Sequence, residues 1–233
     1  MNNIAAVFKK QIKDTFKNKA ILIQFVMFPV LTLIMNEAIQ IEEMPKNYFV
    51  TMFAAMYIGM APLTSMAAVI AEEKEKNTLR VLMMSNVRPH EYLLGIGSYI
   101  WFVCMLGAMV ICLAGNYKLK ESIIFMGIMA VGILASILIG AAIGIWSRTE
   151  MMATSITVPV MVVFSFLPML SGFNHTIAKV AKFIYSEQVS RMLNQVNNLQ
   201  IGLENICIIV GNMLIAAGLF IVAYKKVHCL QCV

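Results

Sequence analysis

Residues 122–146 read SIIFMGIMAVGILASILIGAAIGIW, and from Ser122 to Trp146 there is not one charged side chain. A soluble amphipathic helix would set polar residues on its outer face every third or fourth position, and this stretch does not. At about 1.5 Å per residue it is a helix long enough to cross a hydrocarbon core of about 30 Å. Five more apolar runs stand near residues 20–38, 49–71, 92–114, 150–170 and 204–224. Each of these also approaches the about 20 residues that a transmembrane helix needs.

The composition agrees with those runs. Of 233 residues 60% are hydrophobic and 13% charged, where a soluble domain carries about 45–50% and about 25%. No stretch is left to form a water-facing core, which excludes a separate catalytic domain. The expected fold is all-α: one polytopic membrane domain over residues 1–233, with six transmembrane helices. The net charge of +6 comes from basic residues beside the ends of apolar runs, where anionic headgroups attract them, so nucleic acid is not an expected partner.

An even number of spans puts both termini on one side, and the distribution of lysine and arginine says which. With the termini inside, twelve of the 18 basic residues are cytoplasmic, among them Lys9, Lys10, Lys74, Lys76, Arg80 and Arg148, and six are outside. A cytoplasmic N-terminus follows. That N-terminus is lysine-rich and lacks an apolar core before a cleavage site, so the first run is expected to stay as an anchor.

Within residues 1–19, Ile4, Phe8, Ile12 and Phe16 recur at helical spacing while Lys9, Lys10, Lys13 and Lys17 take the opposite face. This pattern predicts an amphipathic elbow helix along the inner membrane surface. Between the second and third spans, residues 72–91 form the densest block of charge in the chain, Glu72-Glu73-Lys74-Glu75-Lys76 and onward to Glu91. Thr78 to Met84 is expected as a short helix, broken at Ser85-Asn86, with Pro89 opening the next. Residues 171–203 make the long external piece, where Tyr185, Val189, Met192 and Val196 form a helical stripe predicted to fold back onto the outer surface.

Signs of chemistry are sparse. The phosphate-cradling pattern G-x-x-x-x-G-K-[ST] is absent, so ATP binding by that route is excluded. His90, His175 and His228 fall on different sides of the membrane and share no metal site. An intramembrane protease would want arginine close behind Glu72-Glu73, whereas the first arginine is Arg80. The spans hold almost no titratable group, against an ion-driven carrier; Gln24, Thr64 and Asn212 are polar without being titratable. Cys104, Cys112 and Cys207 sit in apolar runs as small hydrophobes. Cys229-x-x-Cys232 suits a thiol clip, an acylated tail or a plain solvated one.

Two features bear on packing and passage. Met52, Met56 and Met60 share a face of the second span, and Met161 and Phe164 stand on the fifth. Flexible thioethers suit surfaces that accept varied apolar ligands, and they suit lipid contact equally. Gly140 and Gly144 form a small-xxx-small pair that lets helices approach closely, within a subunit or between two.

Taken together, these residues resemble the membrane subunit of type 2 ABC exporters. The most specific part is the run Glu72–Gly95, where Glu73, Glu75, Thr78, Leu79, Leu82, Pro89 and Gly95 match the family pattern, with Asn77 at the usual glycine and Ile96 at the usual lysine. The elbow, Pro29, Pro159, Pro168 and Ser171-Gly172 match as well. The resemblance implies a chain that holds no cofactor, metal or catalytic residue, and is not itself an enzyme. ATP and Mg would be bound by a separate ABC ATPase subunit. That ATPase would dock on residues 72–91 through Leu79, Leu82 and Met83, rimmed by Glu73, Glu75 and Arg80. It further implies a dimer with a second permease subunit in the lipid of a bacterial plasma membrane, and a path between the halves that includes Met52, Met56, Met60, Met161 and Phe164. The permeases most similar in size export amphipathic peptides, phenol-soluble modulins among them, or act in multidrug resistance, and the uncharged spans favour an amphipathic peptide or a hydrophobic substrate. A non-transporting membrane scaffold is the alternative, with the protease third.

Overall fold

The computed structural model describes residues 3–38, 47–79, 84, 88–196 and 203–231. Within them the chain is mainly helical, and nine helices have both ends described: α1 (Asn3–Lys17), α2 (Lys19–Ala38), α3 (Tyr48–Glu75), α4 (Pro89–Ala114), α5 (Leu119–Trp146), α6 (Glu150–Ser171), α7 (His175–Ala181), α8 (Tyr185–Asn194) and α9 (Leu203–Gln231). Six of them, α2, α3, α4, α5, α6 and α9, are long and apolar enough to cross a membrane. They coincide with the six runs read from the sequence, and they make the molecule an all-α polytopic bundle.

Local chemistry sets the ends. Asn18 separates α1 from α2, its side chain accepting from the Ile21 amide at 3.5 Å. Pro89 opens α4, where the missing N–H costs nothing, and the Arg88 amide donates to Glu91 at 2.9 Å. Lys118 and Glu121 repeat this bond at the start of α5, at 3.0 Å. Thr149 caps α6 by accepting from the Met152 amide at 3.2 Å, which makes the short link after Trp146 a definite break between two spans. At the end of α3, Asn77 lies in the left-handed region with φ 54°. That conformation favours glycine and tolerates asparagine, so Asn77 keeps a turn at the position where the resemblance leads us to expect glycine.

α3 is the centre of the bundle, buried along nearly its whole length, with α2, α4, α5, α6 and α8 around it. Lipid gives helices no hydrophobic reason to associate, so contact rests on close approach and polar bonds. A Cβ at Gly59 of α3 would stand 2.8 Å from the Phe164 backbone carbon of α6. One at Gly140 of α5 would overlap the Leu63 carbonyl, and one at Gly144 would lie 2.9 Å from the Ile70 Cβ. Gly140 and Gly144 therefore pack against α3 of the same chain.

Two shorter elements pack against the long helices. α1 packs on α4, with Phe8 edge-on to Tyr99 at 5.5 Å and Val7, Gln11 and Thr15 buried, while Ile4 and Ile12 remain exposed. The missing side chain at Gly95 admits Val7: a Cβ there would be 2.8 Å from that valine. α8 packs among α3, α5, α6 and α9. Its predicted stripe, Tyr185, Val189, Met192 and Val196, is buried throughout, and the Tyr185 hydroxyl stands 2.9 Å from Ser136 Oγ in the middle of α5.

Candidate functional site

At the α1 end of the bundle, three consecutive side chains of α3 reach three different neighbours. Glu73, 6% exposed, accepts at Oε1 from Lys10 Nζ at 2.5 Å and from Gln11 Nε2 at 2.8 Å, and the buried Tyr92 phenol of α4 stands beside the same carboxylate. A carboxylate so far from water is stable only when paired and hydrogen-bonded. Lys74 Nζ donates to the Ile145 and Ser147 carbonyls, each at 2.5 Å, where the last carbonyls of α5 lack helical partners and carry the negative end of the helix dipole. Glu75 Oε2 accepts from the Glu150 amide at 2.7 Å, at the positive end of α6. Two opposite charges thus hold the α5–α6 turn on both sides.

Just beyond this junction, the Thr78 hydroxyl donates to the Glu73 carbonyl at 3.1 Å, and Leu79 is half-buried against the chain's own core. Thr78, Leu79 and Met84 are helical. Arg80, Leu82 and Met83 lie outside the described residues. Outside the spans, the hydrogen bond from Lys76 to the Glu72 carboxylate, at 2.5 Å, holds the lysine amine above its ordinary range. Of the seven coupling candidates, the structure joins Glu73 and Glu75 to Lys74 in one junction, and Lys74 is the member that sequence reading missed. Its carbonyl partners stand some seventy residues along the chain, and no local pattern announces them.

In mid-bundle a groove of about 400 Å³ opens between α2, α3 and α6, lined by Met27, Phe28, Met56, Met60, Met161 and Phe166 among others. Ser165 is its polar neighbour, and its hydroxyl donates to the Met56 carbonyl at 3.2 Å, so the groove presents no unsatisfied group or charge. Of the five path candidates, Met56, Met60 and Met161 come together here. Met52 stands a turn further along α3, half-buried. Phe164 turns the other way, its ring 5.1 Å from that of Tyr185 at an interplanar angle of 65°. The contribution of α2 through Met27 and Phe28 was not read from the sequence, because apolar residues in an apolar span carry no mark of which neighbour they face.

α8 closes the bundle at the other end. Glu187, 4% exposed, accepts from Arg191 at 2.7 Å and from Ser171 of α6 at 2.7 Å, and Gln188 donates to the Lys182 carbonyl. Glu187 and the Gln188 amide nitrogen are in this way tied to α6, to the α7–α8 turn or to their own helix, while Ser186 Oγ and Gln188 Oε1 are buried without a partner among the described residues.

Comparison with known families matches residues 1–224 to the family described as ABC-2 family transporter protein. Comparison with curated proteins returns no match. The family match spans the elbow, all six long helices, the junction at the end of α3 and the groove. The chain belongs to the ABC-2 transporter family, as the multi-pass membrane subunit of an ABC transporter and not as its ATPase.

Proposed function

We propose that this chain is the permease of a bacterial exporter that moves an amphipathic peptide or a hydrophobic compound out of the cell, as a homodimer in the plasma membrane with both termini cytoplasmic. The observation that carries the reading is the pairing of two unlike sites on α3. At one end stands a charged junction gripping α1, α5 and α6. In the middle stands an uncharged methionine-lined groove. A groove without charge suits apolar surface, whose transfer from water is worth about 25 cal/mol per Å², and offers nothing to a free ion. Its affinity has to stay modest, since ATP binding can release the cargo only through a difference in affinity between two states. The partner ATPase docks on residues 72–91, with Leu79, Leu82 and Met83 as apolar anchors and Arg80 at the rim; movement there reaches α3 and, through Glu73, Lys74 and Glu75, the helices around it.

The test is reconstitution of this chain with the ABC ATPase that co-purifies with it, in proteoliposomes loaded with ATP on one side. ATP-dependent movement of an amphipathic helical peptide, absent when either subunit is omitted, is the expected result. Failure of any ABC ATPase to co-purify, with no ATP-dependent movement, would leave the scaffold reading instead.

A further inference from the structure

The methionine groove and a second opening both lie along the α2–α3 seam. The second, about 760 Å³, lies at the α1 end between α1, the start of α2 and the end of α3, and its walls carry Lys10, Lys19 and Lys76 with Asp14, Glu72 and Glu73. Both volumes fall within the about 300–1,000 Å³ typical of small-ligand sites. They are successive stations on one face. On α2, Ile21 lines the charged opening, Gln24 stands a turn further on and Phe28 lines the groove. At about 1.5 Å per residue the climb from Ile21 to Phe28 is about 10 Å.

Between the two openings stands one polar contact, Thr64 Oγ1 of α3 at 2.8 Å from Gln24 Oε1. The Thr64 oxygen also lies 2.7 Å from the Met60 carbonyl of its own helix. One hydroxyl proton serves one acceptor at a time. When Gln24 turns away, Thr64 keeps Met60 as its acceptor, and the seam opens without stranding a buried hydroxyl, the event that would make opening costly. Gln24 is half-buried, and its freed amide can pair with a polar group passing along the seam.

The charges at the mouth are unevenly committed. Lys10 is paired with Glu73 and Lys76 with Glu72. Asp14 and Lys19 take part in no ion pair among the described residues. Asp14, whose charge acts on Lys76 without a close ion pair, and Lys19 put an anion and a cation on the wall of one opening, which complement a head that carries both signs; a head of a single sign would leave one of them unmatched.

We infer that the seam is one binding site for a small zwitterionic amphiphile with a single apolar chain: the chain lies in the methionine groove, the head between Asp14 and Lys19, and the Gln24–Thr64 contact is the latch between them. This rests on the groove being the route proposed above and names the substrate class that route admits. To test it, the full chain carrying Met60→Cys, with Cys207, Cys229 and Cys232 changed to serine, is purified in maltoside detergent, and alkylation of the introduced thiol is timed. Three probes of equal chain length are added in turn: lysophosphatidylethanolamine, lysophosphatidylglycerol and a monoacylglycerol. The zwitterionic probe is expected to slow alkylation at a concentration about tenfold below the other two, a difference of about 1.4 kcal/mol. Asp14→Asn and Lys19→Gln, both at exposed positions, are each expected to erase that preference and leave the monoacylglycerol unaffected. Equal protection by all three probes, or a preference that survives both substitutions, would overturn the inference and leave the groove standing as a plain apolar route. Protection by none of them would overturn both.

Discussion

Glu73, Lys74 and Glu75 are consecutive on one helix, yet their side chains are committed to α1, to the end of α5 and to the start of α6. Neighbouring helical positions point about 100° apart, which is how one turn can serve three partners. Glu73 is the most deeply buried of the three, so its loss strands Lys10 and Gln11 together. Glu73→Leu is expected to cost about 1.5–3 kcal/mol, less than a fully buried ion pair because Lys10 is partly exposed. Thermal unfolding in detergent would show it as a lowered Tm, with Glu73→Gln intermediate. Gly140 raises the same question for packing. Gly140→Val drives a branched side chain into the Leu63 carbonyl and is expected to destabilise by about 1–3 kcal/mol. Gly127→Ala, on the same helix with nothing within 4 Å of the new atom, is expected to be neutral or to stabilise by up to about 1 kcal/mol. Equal Tm losses in the two would refute the close α3–α5 crossing.

Among the elements, the six spans were legible because an uncharged run of that length has one stable solution in a bilayer. The positions of α1 and α8 were legible only in part. Both stripes pointed to a buried or lipid-facing side, and on α1 the side that meets protein takes in Val7, Gln11 and Thr15 beside Phe8, of which the stripe named Phe8 alone. α8 carries Glu187, Gln188 and Arg191, which read as surface chemistry until Ser171 and the Lys182 carbonyl stand ready to satisfy them. Polar groups advertise their cost in a sequence and not their partners. Of the methionine face of α3, Met56 and Met60 line the groove and Met52 stands outside it, while the share that α2 takes in the groove was invisible for the same reason. For the segment after α3, the prediction is that Leu82→Asp uncouples ATP hydrolysis from export while the protein still inserts, since apolar anchors carry most of a docking interface. A ratio of transport to hydrolysis reduced at least about tenfold, together with weaker ATPase association, is the expected reading. An unchanged ratio would remove residue 82 from the interface.

For the whole molecule, the proposed function needs one part that reaches from the docking end to the groove, and α3 is that part in our reading. A central helix, buried along most of its length, is fixed at one end to α1, α5 and α6 and lined at mid-length by the groove. A displacement of its end moves groove walls that α2 and α6 also form. The most direct measurement compares two tryptophans in proteoliposomes with the partner ATPase at matched expression. Met56→Trp places its ring in the groove, where Met56 is 6% exposed; Leu106→Trp places the same bulk on α4 at a position 50% exposed and away from the groove. Met56→Trp is predicted to cut ATP-dependent export by about tenfold or more with ATPase association intact, and Leu106→Trp to leave export near the wild-type level. Equal export in the two variants would contradict passage through the groove and mark its methionines as ordinary packing.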